Sequence, residues 1–306
     1  MSISKAVQAL RRGELVILPT ETVYGLAADA ANARAVAALY EAKGRPRFNP
    51  LIAHVSDREI GRRVAAFDER AEALTEAFWP GPLTLVAPVR DAAAVCELAR
   101  AGLDTVAVRA PDHALAQAVL AAFGGPIVAP SANRSGRPSP TTYQDACDET
   151  GAFASARLDG GPCRVGLEST VVSLLPGEPA RLLRPGAVTR EAIAAVVGPL
   201  SPAEDDARRS PGRLTRHYAP EARLRLNAAA PEAGEAYIAF GRDPQGLGVL
   251  NLSPAADLSE AAANLFSCLR AADALRPRAI AVAPIPEIGL GEAINDRLSR
   301  AAGKIG

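Results

Sequence analysis

The chain has 306 residues, more than a typical domain of roughly 100–200 residues, so its length predicts one large or two unequal domains with a sizeable core. Apolar residues make up 48% of it, but charge, proline or glycine interrupts them every few positions, and no stretch approaches the roughly 20 apolar residues of a membrane span. The 34 basic residues balance 34 acidic ones, which argues against a protein whose main work is non-specific binding to nucleic acid.

The first residues, MSISKAVQALRRGELVILP, carry two arginines after a short amphipathic run and lack a basic leader, an apolar block and a cleavage site. The expectation is a soluble, cytoplasmic protein without membrane association. Helical spacing over 4–12 stops at Gly13, and ELVILP (14–19) reads as a short buried strand. ANARAVAALYEA suits a helix ending before Gly44, LIAHV (51–55) a strand, and Ser56 with Glu59 has the spacing of a capping box that opens the next helix. LTLVAPV (83–89), TVAVRAP (105–111), PIVAPSAN (126–133) and STVVSLL (169–175) are further strand candidates, separated by helical stretches such as 112–123. This rhythm predicts an α/β domain with a mixed sheet over 1–198.

Residues 199–222 are rich in proline and charge with little periodicity, and read as a linker. Beyond it, RLRLN, YIAFG, GVLNLS and AIAVAPIP read as strands. A helix capped by Asp257 with Glu260 is expected to bury Leu258, Leu265 and Leu269, and GEAINDRLSRAAGKI is a last helix. A smaller α/β, Rossmann-like domain over 223–306 is therefore expected.

Cys96, Cys147, Cys163 and Cys268 are far apart and form no C-x-x-C pair, so buried free thiols are expected, not a zinc site or a disulfide framework. The histidines, His54, His113 and His217, are too scattered to suggest a metal site. No G-x-x-x-x-G-K-[ST] loop is present, and neither GLGVLN nor GLGEAI completes G-x-G-x-x-G, so any nucleotide site is of another design.

Chemistry concentrates instead in polar segments at strand ends, where open α/β sheets bind ligands. PTETVYGLAADA (19–30) exchanges apolar side chains for hydroxyls and a carboxylate as the strand leaves the core; a threonine-rich turn is the plain alternative. KGRPRFNPL (43–51) sets Lys43, Arg45 and Arg47 on a backbone stiffened by two prolines, which suits a triphosphate as well as a solvated helix end. Arg109 interrupts an apolar strand and needs an anion, from a structural ion pair or a substrate carboxylate. APSANRSGRPSPT (129–141) gathers small hydroxyls, amides and backbone donors able to nest phosphate. GLESTVVSL brings Glu168 and Ser169 before a strand, and LLRPGAV places Arg184 at a strand end.

Together with FWPGPLTLV, these segments resemble, in order and separation, the YrdC-type threonylcarbamoyladenylate synthases. The likeness continues through SPGRLTRHYAP to ANLFSCLRAADA and GLGEAINDRL, as in the long, two-domain form of the family. The resemblance implies a YrdC-like domain with a twisted mixed sheet and a reaction that joins L-threonine, bicarbonate and ATP into threonylcarbamoyl-AMP and pyrophosphate for tRNA modification. Thr22, His54, Arg109, Ala129 and Ser169 would then surround threonine. Lys43, Arg45, Asn49, Thr105, Ser131, Asn133, Ser139, Arg184 and Tyr218 would hold ATP, with Lys43 and Arg45 nearest the charge developing on the α-phosphate. Magnesium would ride on the triphosphate, no redox cofactor is implied, and a downstream threonylcarbamoyl transferase would receive the product. The linker would fold over the site, with Tyr218 as part of a lid; it reads SPGRLTRHYAP where a lysine–aromatic pair commonly precedes Arg216. Two other functions fit some of the residues. An RNA-binding or ribosome-associated module would use the basic clusters at 43–47 and 134–137, but 4% aromatic residues offer few stacking platforms. A carbamoyl-phosphate-using enzyme would carry acylphosphatase-like and zinc-finger parts, and none is found.

Overall fold

In a computed structural model, described over residues 2–202, 218–243, 245–248 and 250–303, the chain builds two sheets. The first is ten-stranded. Its strands are Leu15–Leu18 (β1), Gly25–Asp29 (β2), Ile52–His54 (β3), Leu83–Pro88 (β4), Thr105–Arg109 (β5), Ile127–Val128 (β6), Ala154–Arg157 (β7), Thr170–Ser173 (β8), Arg181–Arg184 (β9) and Ser201–Pro202 (β10). They lie in the order β10-β9-β8-β4-β5-β3-β6-β2-β1-β7, with parallel and antiparallel pairs, so the expected mixed sheet is present. The second sheet has Arg223–Arg225 (β11), Glu235–Ala239 (β12), Leu250–Asn251 (β13) and Ala279–Val282 (β14) in the order β11-β14-β12-β13, all parallel.

The helices are Ile3–Arg11 (α1), Ala33–Lys43 (α2), Arg58–Val64 (α3), Glu69–Phe78 (α4), Ala114–Phe123 (α5), Tyr143–Thr150 (α6), Arg190–Val197 (α7), Leu258–Ala274 (α8) and Leu290–Ala301 (α9). Local chemistry sets their ends. Asn32 caps α2 by accepting from the Arg34 and Ala35 amides, and Gly44 closes it at φ 58°, a left-handed turn that an L side chain resists. Asp57, not Ser56, caps α3: its carboxylate accepts from the Ile60 amide, and Ser56 donates its hydroxyl to Asp57. A carboxylate is the better acceptor at a helix N-terminus, which displaces the expected box by one residue. Asp257 caps α8 as expected, and Leu265 and Leu269 are buried, while Leu258 in the first turn is only partly covered. The 126–133 segment is strand only at Ile127–Val128, because Pro130 cannot donate to a ladder; it then touches β2 through a single bridge between Gly25 and Ser131.

Packing is apolar around both sheets. Ile17, Leu26, Leu39, Leu74, Leu85 and Val108 are fully buried in the main core of the first sheet, and Leu252, Leu265, Phe266, Leu269 and Ile280 in that of the second. Ion pairs cross between the two regions: Arg190 to Glu292, Arg270 to Glu149 and Arg297 to Glu168. The four thiols are free. Among the described residues no helix is long and apolar enough to cross a membrane.

Candidate active site

Strand register assembles the site. β3 runs parallel to β5 with His54 opposite Arg109, and antiparallel to β6, which delivers Ala129 and the loop behind it to the same place. β8 and β9 pair with Val171 opposite Arg184, so Ser169, just before β8, lies under the Arg184 guanidinium. The resulting pocket is lined by Thr22, Val23, Arg45, Leu51, Ile52, His54, Arg109, Ala129, Pro130, Ser131, Glu168, Ser169, Arg184 and Tyr218. Nine of the fourteen residues singled out in the sequence line it. Lys43, Asn49, Asn133 and Ser139 are buried beside it, and Thr105 stands at the far end of β5 from Arg109.

At one end Arg109, 3% exposed, points Nη1 at Thr22 Oγ1 (2.9 Å) and Nε at the Gly81 carbonyl (3.2 Å). Its Nη2 lies 2.7 Å from Glu21 Oε1, although the angle there is poor and neither Glu21 oxygen has an aligned hydrogen-bond partner. Burial pushes the Glu21 carboxyl up, but the adjacent Arg109 charge outweighs it and holds the group below its usual value. Of the two readings of Arg109, the structural ion pair is the one present, with Glu21 as its partner. His54 is driven down to about 3, first by burial and then by the Arg109 charge, and is neutral at physiological pH. Its Nδ1 sits 3.2 Å from the Ile52 carbonyl.

The other end gathers cations. Arg45 donates to the Asn49 and Pro50 carbonyls and is lowered to about 10 by burial. Arg184 donates to the Ser169 carbonyl (2.9 Å) and to Ser169 Oγ (3.2 Å), and burial lowers it too. Ser169 Oγ is also 2.7 Å from Thr84 Oγ1. Lys43, expected nearest the α-phosphate, does not line the pocket in this structure. It is buried, donates to the Ser131 and Asn133 carbonyls, and is pushed well down by burial and by Arg45. In this conformation it ties α2 to the 131–139 loop. Asn133 spans that loop by donating to the Arg134 and Arg137 carbonyls, and Ser139 donates to Glu168 Oε1 (2.5 Å).

Tyr218 reaches the pocket with φ 64°, 1% exposed, its ring 5.5 Å from that of Phe266. Linker residues 203–217, with the Arg216 pattern, lie outside the described residues. One contributor was not found from sequence. Arg297 of α9 is fully buried, with Nε 2.8 Å from Glu168 Oε2 and its guanidinium 5.2 Å from the Tyr218 ring centre. A signal existed: Arg297 stands between Ile294, Leu298 and Ala301 on the buried stripe of α9, and an arginine on an apolar stripe demands a counter-charge.

Fold and site thus define a two-sheet α/β protein with a buried, arginine-rich pocket suited to a ligand bearing several anionic groups. A family model described as "Telomere recombination" (Sua5/YciO/YrdC) matches residues 8–186, and one described as "Threonylcarbamoyl-AMP synthase, C-terminal domain" matches residues 188–303. The chain is 40% identical over 323 residues to the threonylcarbamoyl-AMP synthase of Bacillus subtilis, covering 98% of this chain and 93% of that protein. It is 39% identical to the protein of the same name from Pyrococcus abyssi, covering 96% and 92%. The crystal structure of P. abyssi Sua5 complexed with L-threonine superposes with a TM-score of 0.91 at 37% identity, covering 99% of this chain and 94% of that one. The chain belongs to the threonylcarbamoyl-AMP synthase family.

Proposed function

We infer that this chain joins L-threonine, bicarbonate and ATP into threonylcarbamoyl-AMP, with release of pyrophosphate. The observation that carries the reading is the charge of one pocket: Arg45, Arg109 and Arg184 line it, with only the Glu168 carboxylate among the described lining residues. A threonine carboxylate, a carbamate and a triphosphate are the anions such a pocket can take together.

In this reading Arg109 turns its fork to the threonine carboxylate, with Thr22 and Ser169 as hydroxyl partners and Ala129 contributing backbone. His54 is neutral, so it adds a polar contact without a second cation beside Arg109. Threonine loses a proton from its ammonium, and the amine nitrogen attacks the carbon of bicarbonate or of the CO2 derived from it. With bicarbonate the N–C bond forms as water leaves; with CO2, which has already lost that water, it forms as the nitrogen gives up a proton. A carbamate oxygen then attacks the α-phosphorus of ATP, the bond from that phosphorus to the bridging oxygen of the β-phosphate breaks, and pyrophosphate carries away the electron pair. Arg45 and Arg184 offset the charge that builds on the phosphate oxygens, and Ser131 and the loop held by Lys43 and Asn133 supply fixed dipoles. Alignment and preorganised charge carry the rate, in keeping with the absence of an acid–base triad among the lining residues.

Magnesium fits this site only as a companion of the nucleotide. The two nearby carboxylates, Glu21 and Glu168, are each engaged by an arginine, and no cluster of three metal-ligating side chains exists among the described residues. The ion would be held by the triphosphate and water. The product would pass to a threonylcarbamoyl transferase acting on tRNA. The reading is tested by pyrophosphate release: it is expected only when ATP, threonine and bicarbonate are all present, and release without threonine would refute it.

A further inference from the structure

The helices that flank the second sheet reach the pocket wall through Phe266, which packs against Tyr218, and through Arg297. Arg297, fully buried on α9, donates from Nε to Glu168 Oε2 (2.8 Å) and from Nη2 to the Pro185 carbonyl (3.0 Å), and its guanidinium lies over the Tyr218 ring. Its Nη1 meets Asp296, which Arg300 also holds. Two of these partners, Glu168 and Tyr218, line the pocket, and Pro185 follows the lining residue Arg184. Glu168 in turn accepts from Ser139, the end of the 131–139 loop (2.5 Å). Without Arg297, a buried carboxylate would face the position read here as that of the triphosphate.

We propose that Arg297 is a positioning residue for ATP: it offsets Glu168 and seats Tyr218, so that the C-terminal region completes the nucleotide end of a pocket built mostly by the first sheet. This rests on reading that end as the ATP subsite. Buried like-charge juxtaposition strongly opposes binding, whereas a neutralised Glu168 serves as an acceptor that fixes Ser139. At the threonine end Arg109 is held by Thr22, the Gly81 carbonyl and Glu21, a set of partners separate from those of Arg297. The effect should therefore fall on ATP and spare the amino acid.

The test uses the full-length protein and its R297M, R297K and E168Q/R297M variants, with Michaelis constants for ATP and threonine taken separately from threonine-dependent pyrophosphate release. R297M is expected to raise KM for ATP about tenfold or more, equivalent to ~1.4 kcal/mol, with KM for threonine changed by less than about threefold. E168Q/R297M, which removes the carboxylate charge as well, is expected to recover most of that loss, a rescue that a role in domain docking alone would not give. R297K, retaining charge without the planar fork, is expected between wild type and R297M. An unchanged KM for ATP in R297M, or equal rises in both constants with no rescue by E168Q, overturns the proposal. Should R297M fail to fold, the double variant decides: a KM for ATP nearer wild type than that of R297K supports it, and one as poor as R297K or worse overturns it. A wild-type protein that releases no pyrophosphate with threonine refutes the functional reading instead.

Discussion

Replacing Arg109 by methionine removes the guanidinium and strands its partner. The Glu21 side chain is 1% exposed and its ion pair, at 2.7 Å, is with Arg109. Breaking one side of a buried pair costs about 3–5 kcal/mol, and the orphaned Gly81 carbonyl adds ~1 kcal/mol. In a domain of this size roughly 2–4 °C are lost per kcal/mol, so the thermal midpoint of R109M is expected to fall by about ten degrees or more. The double variant E21Q/R109M carries neither charge, and most of that stability should return. Activity should not return with it. A threonine carboxylate deprived of a charged fork loses ~2–4 kcal/mol of transition-state binding, roughly thirty- to a thousandfold in kcat/KM for threonine. Differential scanning calorimetry and steady-state kinetics on the two variants separate the effects. A stable double variant with wild-type kcat/KM would refute the assignment of the carboxylate to Arg109.

Lys43→Met leaves the Ser131 and Asn133 carbonyls without their buried donor, at about 1–3 kcal/mol each. We expect kcat/KM for ATP to fall by two to three orders of magnitude, ~3–4 kcal/mol, as the loop loses its tie; steady-state kinetics at saturating threonine would show it. His54 is held near 3 against an ordinary 6.5, so the unfolded chain binds a proton there that the native state refuses. Its contribution is fully present above pH 6.5 and is lost as the pH falls toward 3, by up to ~1.4 kcal/mol per unit. Denaturant melts of H54N between pH 7 and pH 4 should accordingly show a shallower acid loss than wild type. A Cβ at Gly186 would sit 2.4 Å from the Thr170 amide nitrogen and 2.5 Å from the Glu168 carbonyl. Gly186→Ala must therefore displace the Glu168–Ser169 turn, and an expected loss of about 2 kcal/mol or more in stability is checked by the same melts.

Much of the fold was legible because periodicity and capping are local. The buried strand over 14–19, the helix ending at Gly44 and the Asp257 cap all follow from residues within a few positions of one another. The capping residue of α3 was misread because two adjacent oxygens, on Ser56 and Asp57, competed for one set of amides. Side-chain type and strand-end position sufficed to pick out Arg109 and Arg184, since an arginine at such a place needs an anion, and Arg45 stood out in the proline-stiffened loop after α2. Direction was not legible. Lys43 and Arg45 lie two residues apart, yet one turns inward to carbonyls and the other lines the pocket. Nor could spacing reveal that Arg297 meets Glu168, 129 residues earlier; only the apolar stripe around it marked it as unusual.

Identifying the adenylate tests the central claim most directly. The purified protein is incubated with ATP, magnesium, bicarbonate and each amino acid in turn, and the products are resolved by mass. The account predicts one new species, threonylcarbamoyl-AMP, formed together with pyrophosphate and only when threonine and bicarbonate are both supplied. Unchanged ATP in the complete mixture, or an adenylate without the mass of a threonylcarbamoyl group, would contradict it.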